Sequence, residues 1–254
     1  IGIAQVLGIR VRENFIRPYF SKNIAEYWRR WHISLGAWFT EYIFYPVSVC
    51  QPMLNFSRFC RKHFGDYVGK RMPVYIASLA VWFTTGIWHG ASWNFIVWGL
   101  LNGIIIILSQ ECEPLYARFH ARFQVAGKSW YRLFQVVRTV LLMSSLRMLD
   151  CYRDVPLTFR MFGDMLLHSR LSQLFDGRMM TLGLMVSDYG VLLAGTVILI
   201  GVSLAGRNGS VREKLAQKPA AVRYAVLYGL FLCTLIIGAY GVGYDSSQFI
   251  YNQF

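Results

Sequence analysis

Hydrophobic positions in this chain are gathered into long uncharged runs, separated by short basic segments. Residues 1–9 read as the end of an apolar helix. A polar, aromatic segment follows, RVRENFIRPYFSKNIAEYWRRWHISLGAWFTEYIFYPV, in which Trp28, Trp31, Tyr42 and Tyr45 mix with Arg12, Arg17, Arg29 and Arg30. It is too charged to span a bilayer and predicts an interfacial or re-entrant element, with rings at headgroup level and Arg heads snorkelling to water. Ser21 followed by Ile24 to Trp38 predicts a helix start, and Pro46 is expected to stop the helix beyond Tyr45.

The most informative run is Met72 to Gln110, whose ionisable side chains are Tyr75 and His89 alone. As one straight helix it would extend roughly 55–60 Å, about twice a hydrocarbon core of about 30 Å. It must therefore break. Gly86, Gly90 and Asn94 mark its weakest helical stretch, which places the break around His89 and predicts two arms, Val74 to Thr85 and Phe95 to Leu108. Further on, Trp130 to Leu149 is apolar but carries Arg132, Arg138 and Arg147, so it is either a span packed in a bundle or a tilted interfacial helix. An amphipathic helix is predicted from Pro156 to Leu167, and two clear spans close the chain, Tyr189 to Ala205 and Ala221 to Tyr240. The fold class expected is all-α: a multi-pass transmembrane helical bundle with re-entrant or interfacial helices, forming one membrane domain over residues 1–254.

Composition agrees with a bilayer as part of the solvent: 55% of the 254 residues are hydrophobic and 15% charged, against about 25% charged in an ordinary soluble protein. The net charge of +13 does not imply nucleic acid, because the cations lie between apolar segments, as in Arg118, Arg122, Lys128 and Arg132 or Arg207, Arg212, Lys214, Lys218 and Arg223. The positive-inside rule produces such clusters, puts the Arg207 to Arg223 loop on the cytoplasmic side and sends the C-terminus outward. The five cysteines show no CxxC pair and no zinc-like spacing with His, so no metal site is expected and the thiols should act as small buried hydrophobes. Starting at Ile1 without a Met or a signal-like basic region, the sequence is expected to lack the beginning of the natural protein.

Nucleotide-binding GxxxxGK[ST] and GxGxxG loops are absent, and GASWN fails the nucleophile-elbow pattern because Asn94 stands where the second glycine belongs. Chemistry must then rest on His, hydroxyl and amide groups. His89, in TTGIWHGASWNF, is the first candidate: a neutral imidazole, with an unperturbed pKa near 6.5, can take a proton from a hydroxyl and return it to a leaving group. A histidine that hydrogen-bonds between helices is the structural alternative. His32, in WRRWHISL, is the second candidate. With Arg29, Arg30 and Trp31 it offers a cationic, aromatic surface suited to a phosphate or carboxylate, or else an anchor among lipid headgroups. His63, His120 and His168 lie in charged or amphipathic segments and are expected at the surface.

The run ENFIRPYFSKNIAEYWRRWHISLGAWFTEYIFYP, followed by FTTGIWHGASWNFIVWGLLNG, resembles the membrane-bound O-acyltransferase family, and within it the bacterial branch of the alginate O-acetylase membrane subunit and the teichoic acid D-alanyl transfer protein. The opening IGIAQVLGI and the ending SSQFIYNQF are similar to parts of that branch as well, with Asn252 in place of an expected aromatic. The resemblance implies a tunnel through the bacterial cytoplasmic membrane, no tightly bound cofactor, an acyl thioester donor (acetyl-CoA or an acyl carrier protein) on the cytoplasmic side and a hydroxyl acceptor outside. It carries the family's catalytic histidine onto His89 and its second histidine onto His32. By position, Trp88, Trp93, Asn94 and the amides of the helix break are candidates for contacting substrate and its oxyanion. A secreted or membrane-tethered acyltransferase partner and a cell-surface polysaccharide are the implied partners besides membrane lipid. RMLDCYRDVPLTFRMFG, Arg147 to Gly163, departs from the aromatic-rich form of alginate enzymes and leaves the polymer open. D-alanyl transfer to teichoic acid is the alternative within the family. A proton-relaying channel or transporter, or an inactive scaffold, is the alternative outside it.

Overall fold

The computed structural model describes residues 2–238, within which every regular element is helical. The closing SSQFIYNQF and the far end of the last predicted span, through Tyr240, lie outside the described residues. The chain divides into two compact units, one up to Asp164 and one from Met165 onward.

The first unit begins with α1 (Gly2–Val6), after which an irregular stretch leads to α2 (Ile24–Arg30) and α3 (Ile33–Phe39). Asn23, not Ser21, caps α2: its side chain accepts the Glu26 amide at 2.8 Å, the usual way to satisfy a first-turn donor. The predicted continuous helix from Ile24 is interrupted at His32, whose backbone is left-handed, with φ 49° and ψ 50°. Nor does the helix end at Pro46. One turn of π-helix, Thr40–Phe44, leads directly into α4 (Tyr45–Val49), where Pro46 occupies the first turn. The wider turn opens the hydrogen-bond ladder just before a residue with no N–H to donate, so the chain continues.

Next come α5 (Gln51–Phe64), α6 (Asp66–His89) and α7 (Trp93–Glu111). The break predicted in the long uncharged run falls at Gly90, immediately after His89, and the two arms extend further than expected, to Asp66 and to Glu111. Gly86 does not weaken its helix. It is buried in α6, and a Cβ there would stand 2.6 Å from the Phe95 carbonyl oxygen, so glycine is what lets the two arms of the hairpin approach. Gly103 serves the same purpose against the Trp82 ring. At the other end of the hairpin the Glu111 carboxylate accepts from Arg71 at 2.5 Å, from Tyr67 at 2.7 Å and from Tyr75, tying the start of α6 to the end of α7.

Then α8 (Glu113–Phe123), α9 (Ser129–Tyr152) and α10 (Val155–His168) follow. The buried faces of α2, α7 and α9 meet in one core of Ile24, Tyr27, Trp98, Met143, Leu146 and Leu149. In the second unit, α11 (Val186–Ala205), α12 (Val211–Ala216) and α13 (Ala220–Ile237) include both predicted closing spans. Among the described residues three helical segments are long and apolar enough to cross a membrane: Trp93–Glu111, Val186–Asn208 and Ala220–Ile237. Among the cysteines Cys60 is buried as expected, whereas Cys50, Cys151 and Cys233 are exposed and do not act as buried hydrophobes in the described fold.

Candidate active site

Two helix breaks bring the two candidate histidines to one cavity. His89 is the last residue of α6. Gly90 ends the helix with φ 155°, and its amide donates to Gly86 and Ile87. A side chain at Gly90 would collide with the Phe95 ring at 2.6 Å, so glycine here serves both the backbone angle and the return of α7 beneath the imidazole. The His89 ring stands edge-on to Trp88 and to Trp98, each with centroids 4.8 Å away, and lies roughly parallel to Phe95 at 6.3 Å.

His32 occupies the left-handed joint between α2 and α3. A left-handed non-glycine residue costs about 1–2 kcal/mol, and the joint is held by the extended stretch before it. The Ile16 amide donates to the Arg30 carbonyl at 2.9 Å and the Ile33 amide to the Asn14 carbonyl at 3.1 Å. The Asn14 side-chain oxygen accepts both the amide and the hydroxyl of Ser34, at 2.8 and 2.6 Å. The His32 ring packs on Phe15 at 5.1 Å and faces Trp88 at 6.1 Å. Burial lowers its pKa below the ordinary histidine value, so the ring is neutral at neutral pH.

Both imidazoles line a cavity of about 460 Å³, together with Trp28, Trp31, Trp82 and Thr85. Trp88 bridges them, its ring touching each histidine. Apart from Arg29 and Thr40 the rest of the wall is apolar or aromatic, and among the described residues no carboxylate lines it. Such a chamber admits a largely apolar group beside two imidazoles, the kind of group that can take a proton from a hydroxyl.

The remaining candidates fall in different places. Arg29 lines the cavity, as does Trp31, which stacks on Tyr27 at 5.7 Å. Arg30 is engaged instead with the Glu26 carboxylate at 2.5 Å and the Arg17 carbonyl at 3.4 Å. Trp93 is 75% exposed and is not among the residues lining the cavity. Asn94 is buried with its amide on the Leu149 carbonyl at 3.2 Å and its oxygen on Ser92 at 2.5 Å, so it joins α7 to α9. His63 and His168 are exposed, while His120 is half-buried and bonded to the Tyr131 hydroxyl at 2.8 Å.

Residues not singled out from sequence complete the chamber. Trp28 donates its indole N–H to Asn102 at 3.1 Å, and Asn102, fully buried, donates in turn to the Trp98 carbonyl at 2.8 Å. An amide side chain within the apolar run WGLLNG was the available signal, since polar groups at membrane depth need partners.

The residues thus define an all-helical membrane protein with a paired-histidine chamber at a helix break. No family model matches the chain. Among curated proteins it is 35% identical over 120 residues to a peptidoglycan O-acetyltransferase of Helicobacter pylori, a match covering 47% of this chain and 20% of that protein. It is 35% identical over 103 residues to a probable alginate O-acetylase of Azotobacter vinelandii, covering 41% of this chain and 17% of the relative. With a teichoic acid D-alanyltransferase of Bacillus subtilis it shares 27% identity over 141 residues, 55% of this chain and 32% of the relative. These relatives are membrane-bound O-acyltransferases, and the chain is homologous to them over the matched part. The matched part spans less than a third of the length of each of the three.

Proposed function

We propose that the protein to which this chain belongs is a multi-pass acyltransferase of the bacterial cytoplasmic membrane, passing an acyl group, most simply acetyl, from a thioester donor to a hydroxyl at the outer side. The observation that carries the reading is the placement of His89 and His32 on one mainly apolar chamber, with Trp88 packed against both rings. His89 takes the proton of the acceptor hydroxyl as its oxygen attacks the thioester carbonyl. The new ester bond forms, the carbon–sulfur bond breaks, and the proton passes to the leaving thiolate. Negative charge on the carbonyl oxygen requires hydrogen-bond donors, a task for amides at the α6–α7 break that are not bonded within a helix. Neutral His32 stands across Trp88 and holds the acceptor through a hydrogen bond.

The acceptor hydroxyl belongs to a cell-surface polysaccharide or to a secreted or tethered partner that relays the acyl group to it. The B. subtilis relative, whose match is the longest of the three, favours a second reading in which the group transferred is D-alanyl. A proton-relay channel is disfavoured because the chamber offers no carboxylate to extend the relay.

The test is to express the complete gene and measure ester-linked acyl groups on cell-envelope polymers. His89→Ala should lower them by at least about 100-fold, the lower range for loss of general-base catalysis, and His32→Ala should lower them less. Unchanged ester content at normal membrane abundance of His89→Ala would remove the assignment. Identifying the ester as acetyl or D-alanyl decides between the two readings.

A further inference from the structure

The uncharged run Met72 to Gln110 turns back on itself at Gly90, so its two ends lie together, where the Glu111 carboxylate accepts from Tyr67, Arg71 and Tyr75. A hydrocarbon core that encloses the run ends at about the level of Arg71 and Glu111, because charges beyond those points belong in the headgroup region. Two helices adjoin that boundary: α5 leads into α6 through Gly65, and α8 follows α7 after Cys112.

Both present the same mixture to the outside. In α5, Ser57 and Cys60 are buried and Ser57 donates to the Gly69 carbonyl at 2.7 Å, so that face is turned to α6. Arg58, Arg61 and Lys62 are exposed, and so are Leu54 and Phe59 beside them. In α8, Leu115, Phe119 and Phe123 stand four residues apart, hence on one side of the helix, with Arg118 and Arg122 alongside; all five are exposed. Asp66 is paired with Lys70 and, at 3.7 Å, with Arg61. Among the described residues no carboxylate pairs with Arg58, Lys62, Arg118 or Arg122. Each of these cations follows an exposed apolar side chain by three or four residues: Leu54 before Arg58, Phe59 before Lys62, Leu115 before Arg118 and Phe119 before Arg122. Neighbours at that spacing present charge and apolar surface together, which suits a partner offering phosphate and methylene groups at once. An acidic soluble surface answers the charges and leaves the phenyl and leucyl groups in water.

We propose that α5 and α8 form a collar for anionic phospholipid, with headgroup phosphates held by Arg58, Lys62, Arg118 and Arg122 and acyl chains entering beside Phe59, Phe119 and Phe123. None of these residues lines the histidine chamber, so the collar stands apart from the acyltransferase reading. Its effect is positional: it fixes the depth of the α6–α7 hairpin in the leaflet.

The experiment titrates the full-length protein, solubilised in a non-ionic detergent, with phosphatidylglycerol and with phosphatidylcholine of the same acyl chains, and counts bound lipids by native mass spectrometry. We expect the anionic lipid to bind at least about tenfold tighter, a modest share of what four cations near a charged leaflet supply. R58Q, K62Q, R118Q and R122Q combined should reduce that preference to below about twofold, whereas R58K with R118K, which retains the charge, should keep it. F119S with F123S should weaken both lipids and leave their ratio as it was. Equal affinity of the wild type for the two lipids, or an unchanged preference in the quadruple variant, overturns the proposal, the second result leaving the cations to an acidic soluble partner. So does displacement of phosphatidylglycerol by inorganic phosphate at equal concentration, because the collar would then hold a free anion and no lipid.

Discussion

His32 shows how one residue can be strained, placed and tuned by its neighbours. Its left-handed backbone sets α2 and α3 at an angle that turns the ring toward Trp88, and the joint persists because Asn14 engages Ser34 twice. Asn14→Ala removes both bonds, each worth about 1 kcal/mol net. We expect a fall of about 1–2 kcal/mol in the stability of this joint and a loss of transfer, although Asn14 does not line the cavity; proteolysis between Arg17 and Ser34 should accelerate. An unchanged cleavage rate would show that the joint holds itself. The pH dependence has a definite sign. Because burial depresses the folded-state pKa of His32, its contribution to stability is complete above the unfolded value near 6.5 and declines as pH falls toward the folded value. Thermal unfolding of the wild type should therefore weaken below pH 6.5 more steeply than that of His32→Gln. Parallel profiles would remove His32 as the titrating group.

At the scale of elements, the α6–α7 hairpin supports the chamber through its glycines. Gly86 and Gly99 let the two helices pass so closely that a Cβ at either would meet opposing backbone, the Phe95 carbonyl in one case and the Trp82 carbonyl in the other. Overpacking of this kind costs about 1–3 kcal/mol, and here it would also shift the Trp28–Trp82 wall, whose rings meet edge-on at 4.9 Å. Gly99→Ala should lower the unfolding temperature and reduce transfer together, while Gly163→Ala, which meets open space, should do neither; equal behaviour of the two variants would refute the packing argument. Much of this hairpin was legible in sequence, because an uncharged run too long for one bilayer crossing must break, and His89 sits where helix formers are weakest. The His32 joint was not legible. WRRWHISL has no glycine or proline to announce a break, and the cause, Asn14, acts from a separate segment. The π-turn before Pro46 escaped for the same reason: a proline reads locally as a stop, and only the widened ladder behind it makes continuation possible.

For the whole molecule, length and apolarity place three segments among the described residues within reach of spanning, and the basic clusters between apolar runs predict an orientation. The loop from Arg207 to Arg223 holds Arg207, Arg212, Lys214, Lys218 and Arg223 against Glu213, whereas the stretch from 169 to 185 before α11 holds Arg170 and Arg178 against Asp176. The positive-inside rule counts cations near span ends, so the first should lie in the cytoplasm and the second outside. Asn208 and Thr181 are both exposed and suit a labelling test. In the full-length protein, Asn208→Cys should react with a membrane-impermeant maleimide only after the cells are opened, and Thr181→Cys should react in intact spheroplasts, each compared with the chain carrying its native cysteines alone. The reverse pattern would overturn the orientation that the positive-inside rule assigns to α11 and α13.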